Sequence, residues 1–412
     1  MKRALAFVLL AHAAEADPLV LRGDALATTT SPAGLVMLTA DGSATPGLSA
    51  EAVLWTGTTG SAAADRAGGD VLVMALHART ANGRVRATIG RFVATLGALR
   101  PVHVDGARAL VRLPYGFDLE AYAGVLVEPD LATSRAWDWV VGARAARRVG
   151  DWGSLGVAYQ ELRDDGRLAT EEVGVDAGAA IGKHADLAGK LAYDLVNQGV
   201  AEAKLTASER RGAVRAEIYA SYVAPSHILP ATSLFSVLGD VPAVRVGTTW
   251  TWRAAPRLDL AGDVAVVQSD GDPIDGPVVQ RPATAAIPPA PDSGEAIAPA
   301  ATLRATLRLD DRGASSLGAE LRRDGTGDAG WTGARATARF ALPAELTAST
   351  ELELVIPDHD TGLGRVWPWG LAALSRKWGV WNAALAMEAQ ASPEDRHRVD
   401  VLAQLGRVWS VR

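Results

Sequence analysis

Charged side chains recur at every second position over many short stretches of this chain. In 303–309, Arg304, Thr306 and Arg308 alternate with Leu303, Ala305, Leu307 and Leu309. The cationic candidates on such rows are Arg84, Arg86, Lys190, Lys204, Arg215, Arg245, Arg257, Arg304, Arg308, Arg322, Arg335 and Arg339. The anionic ones are Asp194, Glu202, Glu217, Asp259, Asp263, Glu320, Glu345, Glu351 and Glu353. Opposed rows of charge across a wet cavity set a transverse field that discriminates solutes. On adjacent strands, the same residues form ion pairs that stiffen a wall and keep it hydrated. The two readings are compatible, and the excess of arginine implies at most a weak anion preference.

Catalytic and metal chemistry is hard to assemble. His77, His103, His184, His227, His359 and His397 have no zinc-site spacing, and the chain has no cysteine. No CxxCH haem attachment and no GxSxG nucleophile elbow is present. Asp358-His359-Asp360 is the nearest approach to a hydrolytic site, and a solvated loop histidine accounts for it more simply. No catalytic residue, metal or cofactor is therefore expected. The net charge of −6 offers no concentrated basic surface for nucleic acid.

The elements that carry the charges have a period of two, which means strands with two different faces. In 201–208, Ala201, Ala203, Leu205 and Ala207 oppose Glu202, Lys204, Thr206 and Ser208. In 345–356, Leu352, Leu354 and Ile356 oppose Glu351 and Glu353. One face is small and apolar and the other is charged, the pattern of a barrel with lipid outside and a wet lumen inside. Turn signals such as Asn82-Gly83, Arg211-Gly212 and Ala255-Pro256 separate the runs. They predict an all-β, antiparallel up-and-down transmembrane β-barrel of about 22 strands, within a range of roughly 16 to 22.

Residues 1–16 read as a cleaved export signal: Lys2 and Arg3, a short apolar run, then Ala14-Glu15-Ala16. One barrel domain is expected over 17–412, with long loops near 57–69, 128–135, 225–242, 269–299, 324–330 and 357–366. Those loops fall at one end and both termini at the other. Tryptophans cluster near strand ends, where an indole can sit at the headgroup level. The expected girdle is Trp55, Trp137, Trp139, Trp331, Trp367 and Trp369 at one end. Trp152, Trp250, Trp252, Trp378, Trp381 and Trp409 form it at the other. Within 226–239, Leu229, Leu234 and Phe235 make a loop apolar enough to constrict the mouth or dock a partner.

The last run places Val399, Val401, Ala403, Leu405, Trp409 and Val411 on one face. With the export signal, the alternating strands and the tryptophan belts, the chain resembles bacterial outer-membrane β-barrels, and among them porin-like channels. It departs from the usual pattern by ending on Arg412 in place of an aromatic. The resemblance implies a Gram-negative outer-membrane location and passive diffusion of small hydrophilic solutes through the lumen. Its implied partners are membrane lipid, those solutes and a possible periplasmic or extracellular protein. The competing expectation is a scaffold barrel that sheathes or docks a partner, such as a multihaem cytochrome or an envelope machine. A hydrolase on the rim is the third.

Overall fold

The computed structural model describes residues 17–29, 33–58, 67–127, 138–164, 166–224, 242–269, 296–325, 330–358, 366–391 and 398–411. The expected export signal, Trp137, His227, His359, His397 and the apolar loop residues Leu229, Leu234 and Phe235 lie outside the described residues.

The described residues form 22 strands. The first half comprises β1 (Asp17–Thr28), β2 (Ala33–Thr45), β3 (Leu48–Thr58), β4 (Ala67–Arg79), β5 (Val85–Ala94), β6 (Val102–Arg112), β7 (Phe117–Leu126), β8 (Trp139–Val149), β9 (Gly153–Asp164), β10 (Arg167–Ile181) and β11 (Ala185–Asp194). The second comprises β12 (Gly199–Arg211), β13 (Val214–Val223), β14 (Ala243–Ala255), β15 (Leu258–Ser269), β16 (Ala296–Arg308), β17 (Ser316–Asp324), β18 (Trp331–Leu342), β19 (Leu346–Pro357), β20 (Trp367–Trp378), β21 (Trp381–Gln390) and β22 (Arg398–Val411). No helix among the described residues is long and apolar enough to cross a membrane.

Each strand pairs antiparallel with its neighbours in sequence. β1 closes the sheet on β22, from Leu19↔Val411 to Thr28↔Leu402. Closure leaves no edge strand with unpaired N–H and C=O groups, which is the condition for a sheet to lie in hydrocarbon. Strict up-and-down order puts all connections that follow odd-numbered strands at one end, including the long ones. The tight turns and both ends of the described chain lie at the other. In the β16–β17 turn, the Asp310 carboxylate accepts the backbone N–H groups of Ala314 (3.0 Å) and Ser315 (2.6 Å). Those bonds hold its pKa below the usual carboxylate value.

The alternation sorts residues as the pattern demands. Ile89, Ile218, Leu205, Leu321 and Leu352 stand outward, each more than half exposed, and lipid is the solvent that fits them. Inward positions of the same strands carry Arg86, Glu217, Lys204, Arg322 and Glu351. In register, Arg304 stands opposite Glu320 and Arg335 opposite Glu353.

The outward face sets a depth-dependent penalty for charge, of about 2–4 kcal/mol for an arginine at the bilayer midplane. Leu205→Arg should cost that much in equilibrium unfolding from vesicles. Thr206→Arg, one residue on and facing the lumen, should change stability little.

Candidate functional site

The candidate site is the lumen wall and one connection that folds onto it. Residues 95–101 join β5 to β6 at the long-loop end, yet Leu96, Ala98 and Leu99 are 1–3% exposed. A turn closed by the Leu99 N–H to the Leu96 carbonyl (3.0 Å) shapes the segment. It lies on the inner face of β7 to β10. Leu96 and Leu99 join Phe92, Val104, Tyr122, Val140 and Ala158 in one buried cluster. Among the described residues, the apolar core thus sits inside the lumen, against one wall.

Glycines on that wall make the room. A Cβ on Gly142 would come within 2.7 Å of Leu96 Cδ1, and one on Gly174 within 2.8 Å of Leu99 Cδ2. Gly97 has φ +54 and approaches Asp176 and Arg144 too closely for any side chain. Polar contacts finish the seat. The Tyr122 hydroxyl donates to Gln160 Oε1 (2.7 Å), and Arg100 pairs with Glu172 (3.1 Å) with both side chains buried. Removing one member of a buried pair typically costs about 3–5 kcal/mol, so Arg100 is a strong tether. Asp194, beside Glu172 on β11, accepts the N–H groups of Val196 (2.8 Å) and Asn197 (3.0 Å).

Elsewhere the wall is a lattice of ion pairs. Arg144 grips Asp176 through two nitrogens (2.5 and 3.1 Å), and Lys190 meets Glu202 at 2.5 Å. Arg245 and Tyr219 share Asp263, at 2.6 and 2.9 Å. Arg308 reaches Asp259 (2.9 Å), Arg257 reaches Asp311 (2.6 Å), and Arg335 pairs with Glu351. Glu320 accepts from both Arg304 and Arg322, and Arg322 continues to Glu353 (3.5 Å). Exposure is uneven: the Arg304 side chain is 58% exposed and that of its partner Glu320 6%.

Not every cation is paired. Arg84, Arg86, Arg112, Lys204, Arg210 and Arg339 make no ion pair among the described residues, and Arg215 reaches Glu217 only at 3.9 Å. Three inward like-charge pairs stand directly opposite each other: Arg79↔Arg86, Lys190↔Lys204 and Arg210↔Arg215. Such pairs are unfavourable. Arg86, Arg112 and Arg210 line the short-turn half of one arc, β5 to β13, where the facing acids are Asp118, Asp186 and Glu217. On the opposite arc most cations are paired, with Arg339 on β18 an exception.

The tryptophans divide by face. Trp139, Trp250, Trp252, Trp378, Trp381 and Trp409 share the outward face with lipid-exposed neighbours. Trp152 projects from the β8–β9 turn, 59% exposed. Trp55 lies beside the register shift at Val53/Leu54. Trp331, Trp367 and Trp369 face inward, contrary to the girdle expected for them. Trp331 shares the face of Gly333 and Arg335, and Trp369 Nε1 donates to the lumen residue Glu388 (2.6 Å).

Sequence reading did not single out the inward segment 95–101. Its signals were present: an apolar run at a loop position, facing glycines at 142 and 174, and bulky Tyr122 on an otherwise polar face. Leu99→Ala should remove about 2–5 kcal/mol of packing from this segment. Hydrogen exchange should then quicken at 95–101 while the barrel strands keep their protection.

No family model matches the chain, and no curated protein matches it in sequence. Solved structures do. A variant of the ferric enterobactin receptor PfeA of Pseudomonas aeruginosa, in complex with enterobactin, matches with TM-score 0.62 at 9% identity, covering 95% of this chain and 82% of the receptor. The siderophore receptor PirA of the same organism matches with TM-score 0.60 at 11% identity, covering 95% and 81%. The translocation pore of the P pilus usher PapC matches with TM-score 0.49 at 9% identity, covering 96% and 100%. The fold is that of an outer-membrane β-barrel.

Proposed function

We propose that the protein is an outer-membrane channel of a Gram-negative envelope, through which small hydrophilic solutes diffuse passively. The observation that carries this reading is the wall itself. Many of its cations, such as Arg245, Arg253, Arg304 and Arg215, stay solvent-exposed along the lumen, and one short segment, 95–101, narrows it from one side. A lumen meant to stay dry would be lined throughout with packed apolar side chains; outside the seat of 95–101, this one is lined with ion pairs. The inward segment supplies a constriction on a rigid seat, which is where a water-filled pore sorts by size. Below it, Arg86, Arg112 and Arg210 leave a positive arc, so passing anions are weakly favoured over cations.

Purified, detergent-folded protein in a planar bilayer should give stable conductance steps proportional to salt. Reversal potentials in a salt gradient should show a mild anion preference. Replacing Arg86, Arg112 and Arg210 together by Glu should move the reversal potential toward cations. Repeated silence from folded, heat-modifiable protein would overturn the channel reading. A lumen filled by a partner protein would then be the better account, and whatever co-purifies would identify it.

A further inference from the structure

The outward face at the short-turn end carries charge where lipid is expected. On β20 to β22, Arg376, Trp378, Trp381, Arg407 and Trp409 form one contiguous patch. Trp378 is the register partner of Trp381, and Trp381 that of Arg407. The Arg407 guanidinium lies between two indoles, 4.7 Å from the Trp381 ring centroid and 5.0 Å from that of Trp409. Arg376 lies 5.9 Å over Trp378. Across the closing seam, Gly23 faces Arg407, and a Cβ there would crowd Trp409 at 3.2 Å. The patch thus extends unobstructed over the β22–β1 junction.

What these arginines lack is an anion. Neither makes an ion pair among the described residues, and the outward positions around them on β19, β20, β21, β22, β1 and β2 hold no acid. Leu346, Leu374, Ala383, Leu405, Leu21 and Ala40 occupy those positions. Buried Nε of Arg407 has no hydrogen-bond partner, although the ring contacts fix the guanidinium in place. An arginine that only reaches for water would carry its donors into the turn region. Here two indoles hold the group at the short-turn end of the outward face, with its Nε unsatisfied.

The geometry points to a binding site for the phosphate of a membrane lipid, in the leaflet at the short-turn end. The terminal nitrogens of Arg376 and of the ring-held Arg407 would donate to the phosphate oxygens, as arginine does in charge-assisted pairs. The indoles would flank the glycerol and upper acyl region at the level they normally occupy. A lipid with net negative charge fits best, because no carboxylate balances the two cations. The site is independent of whether the lumen conducts.

Native mass spectrometry of the detergent-released protein tests this directly. Phosphatidylglycerol should be retained, while diacylglycerol, which lacks the phosphate, and glycerol phosphate, which lacks the chains, should not. In Arg376→Gln/Arg407→Gln, retention of phosphatidylglycerol should fall about tenfold or more, the worth of a lost charged hydrogen bond. Arg147→Gln, beside Phe117 on the far side of the wall, should retain it normally. Equal retention by the double variant, or of diacylglycerol by the wild type, would overturn the proposal. Retention of glycerol phosphate as strong as that of the lipid would overturn the lipid assignment in favour of a free phosphate site. Should the double variant not fold, tryptophan quenching of the wild-type protein decides. Brominated phosphatidylglycerol should quench more strongly than brominated diacylglycerol, and equal quenching would overturn the site.

Discussion

Everything in this structure follows from one requirement: in hydrocarbon, each backbone N–H and C=O must find its partner within the protein. A sheet satisfies it only by closing, and the β1–β22 register from Leu19↔Val411 to Thr28↔Leu402 is that closure. Closure fixes the period-two alternation over the whole circuit, because a slip of one residue would turn an entire strand's charges into lipid. The outward Leu205 and the inward Lys204 are thus two consequences of a single register. So are the outward Arg407 and the inward Gln404, three residues apart on the seam strand.

With the outside given to lipid, the protein's own packing has one place left to form. The cluster of Leu96, Leu99, Tyr122 and Val140 lies inside the lumen, which inverts the usual arrangement of a soluble β-protein. An inner core built against one wall leaves the other wall wet. The asymmetry of the charges follows the same division. On the β14 to β20 side, Arg245, Arg304, Arg308 and Arg335 are balanced by Asp263, Glu320, Asp259 and Glu351. On the side of the inward segment, several arginines toward the short-turn end are not balanced.

The strand pattern was legible because it is local. The run 201–208 sorts its side chains with no knowledge of its neighbours, and β12 adopts that sorting from Glu202 onward, while Ala201, at the register shift, is buried in the cluster. The inward faces of Arg304, Arg335 and Glu353 were legible for the same reason. Long-range contact was not. Whether Leu96 and Leu99 leave the loop for the lumen depends on Gly142 and Gly174, which approach them only once β8 and β10 are in register. Trp331, Trp367 and Trp369 lie near strand ends, as belt residues do, but position along a strand does not fix its face. Parity with Arg335 and Glu388 does, and it turns these rings inward. Arg407 breaks the apolar row of the last strand in sequence, and only the rings of Trp381 and Trp409 explain how a charge is held there.

The ion pairs of the wall bear on function through what they cancel. Individually, exposed pairs contribute about 0–1 kcal/mol, too little for their number to be a stability argument. Their effect is to hold water against the wall while removing net field from most of it. A solute in the lumen would therefore sense chiefly the groups left over. Those are the steric edge of 95–101 and the cations Arg86, Arg112 and Arg210 beyond it. A barrel this wide can be selective without a dense charge ring, provided its constriction and its residual charge lie on the same side. Here both lie on the arc from β5 to β13.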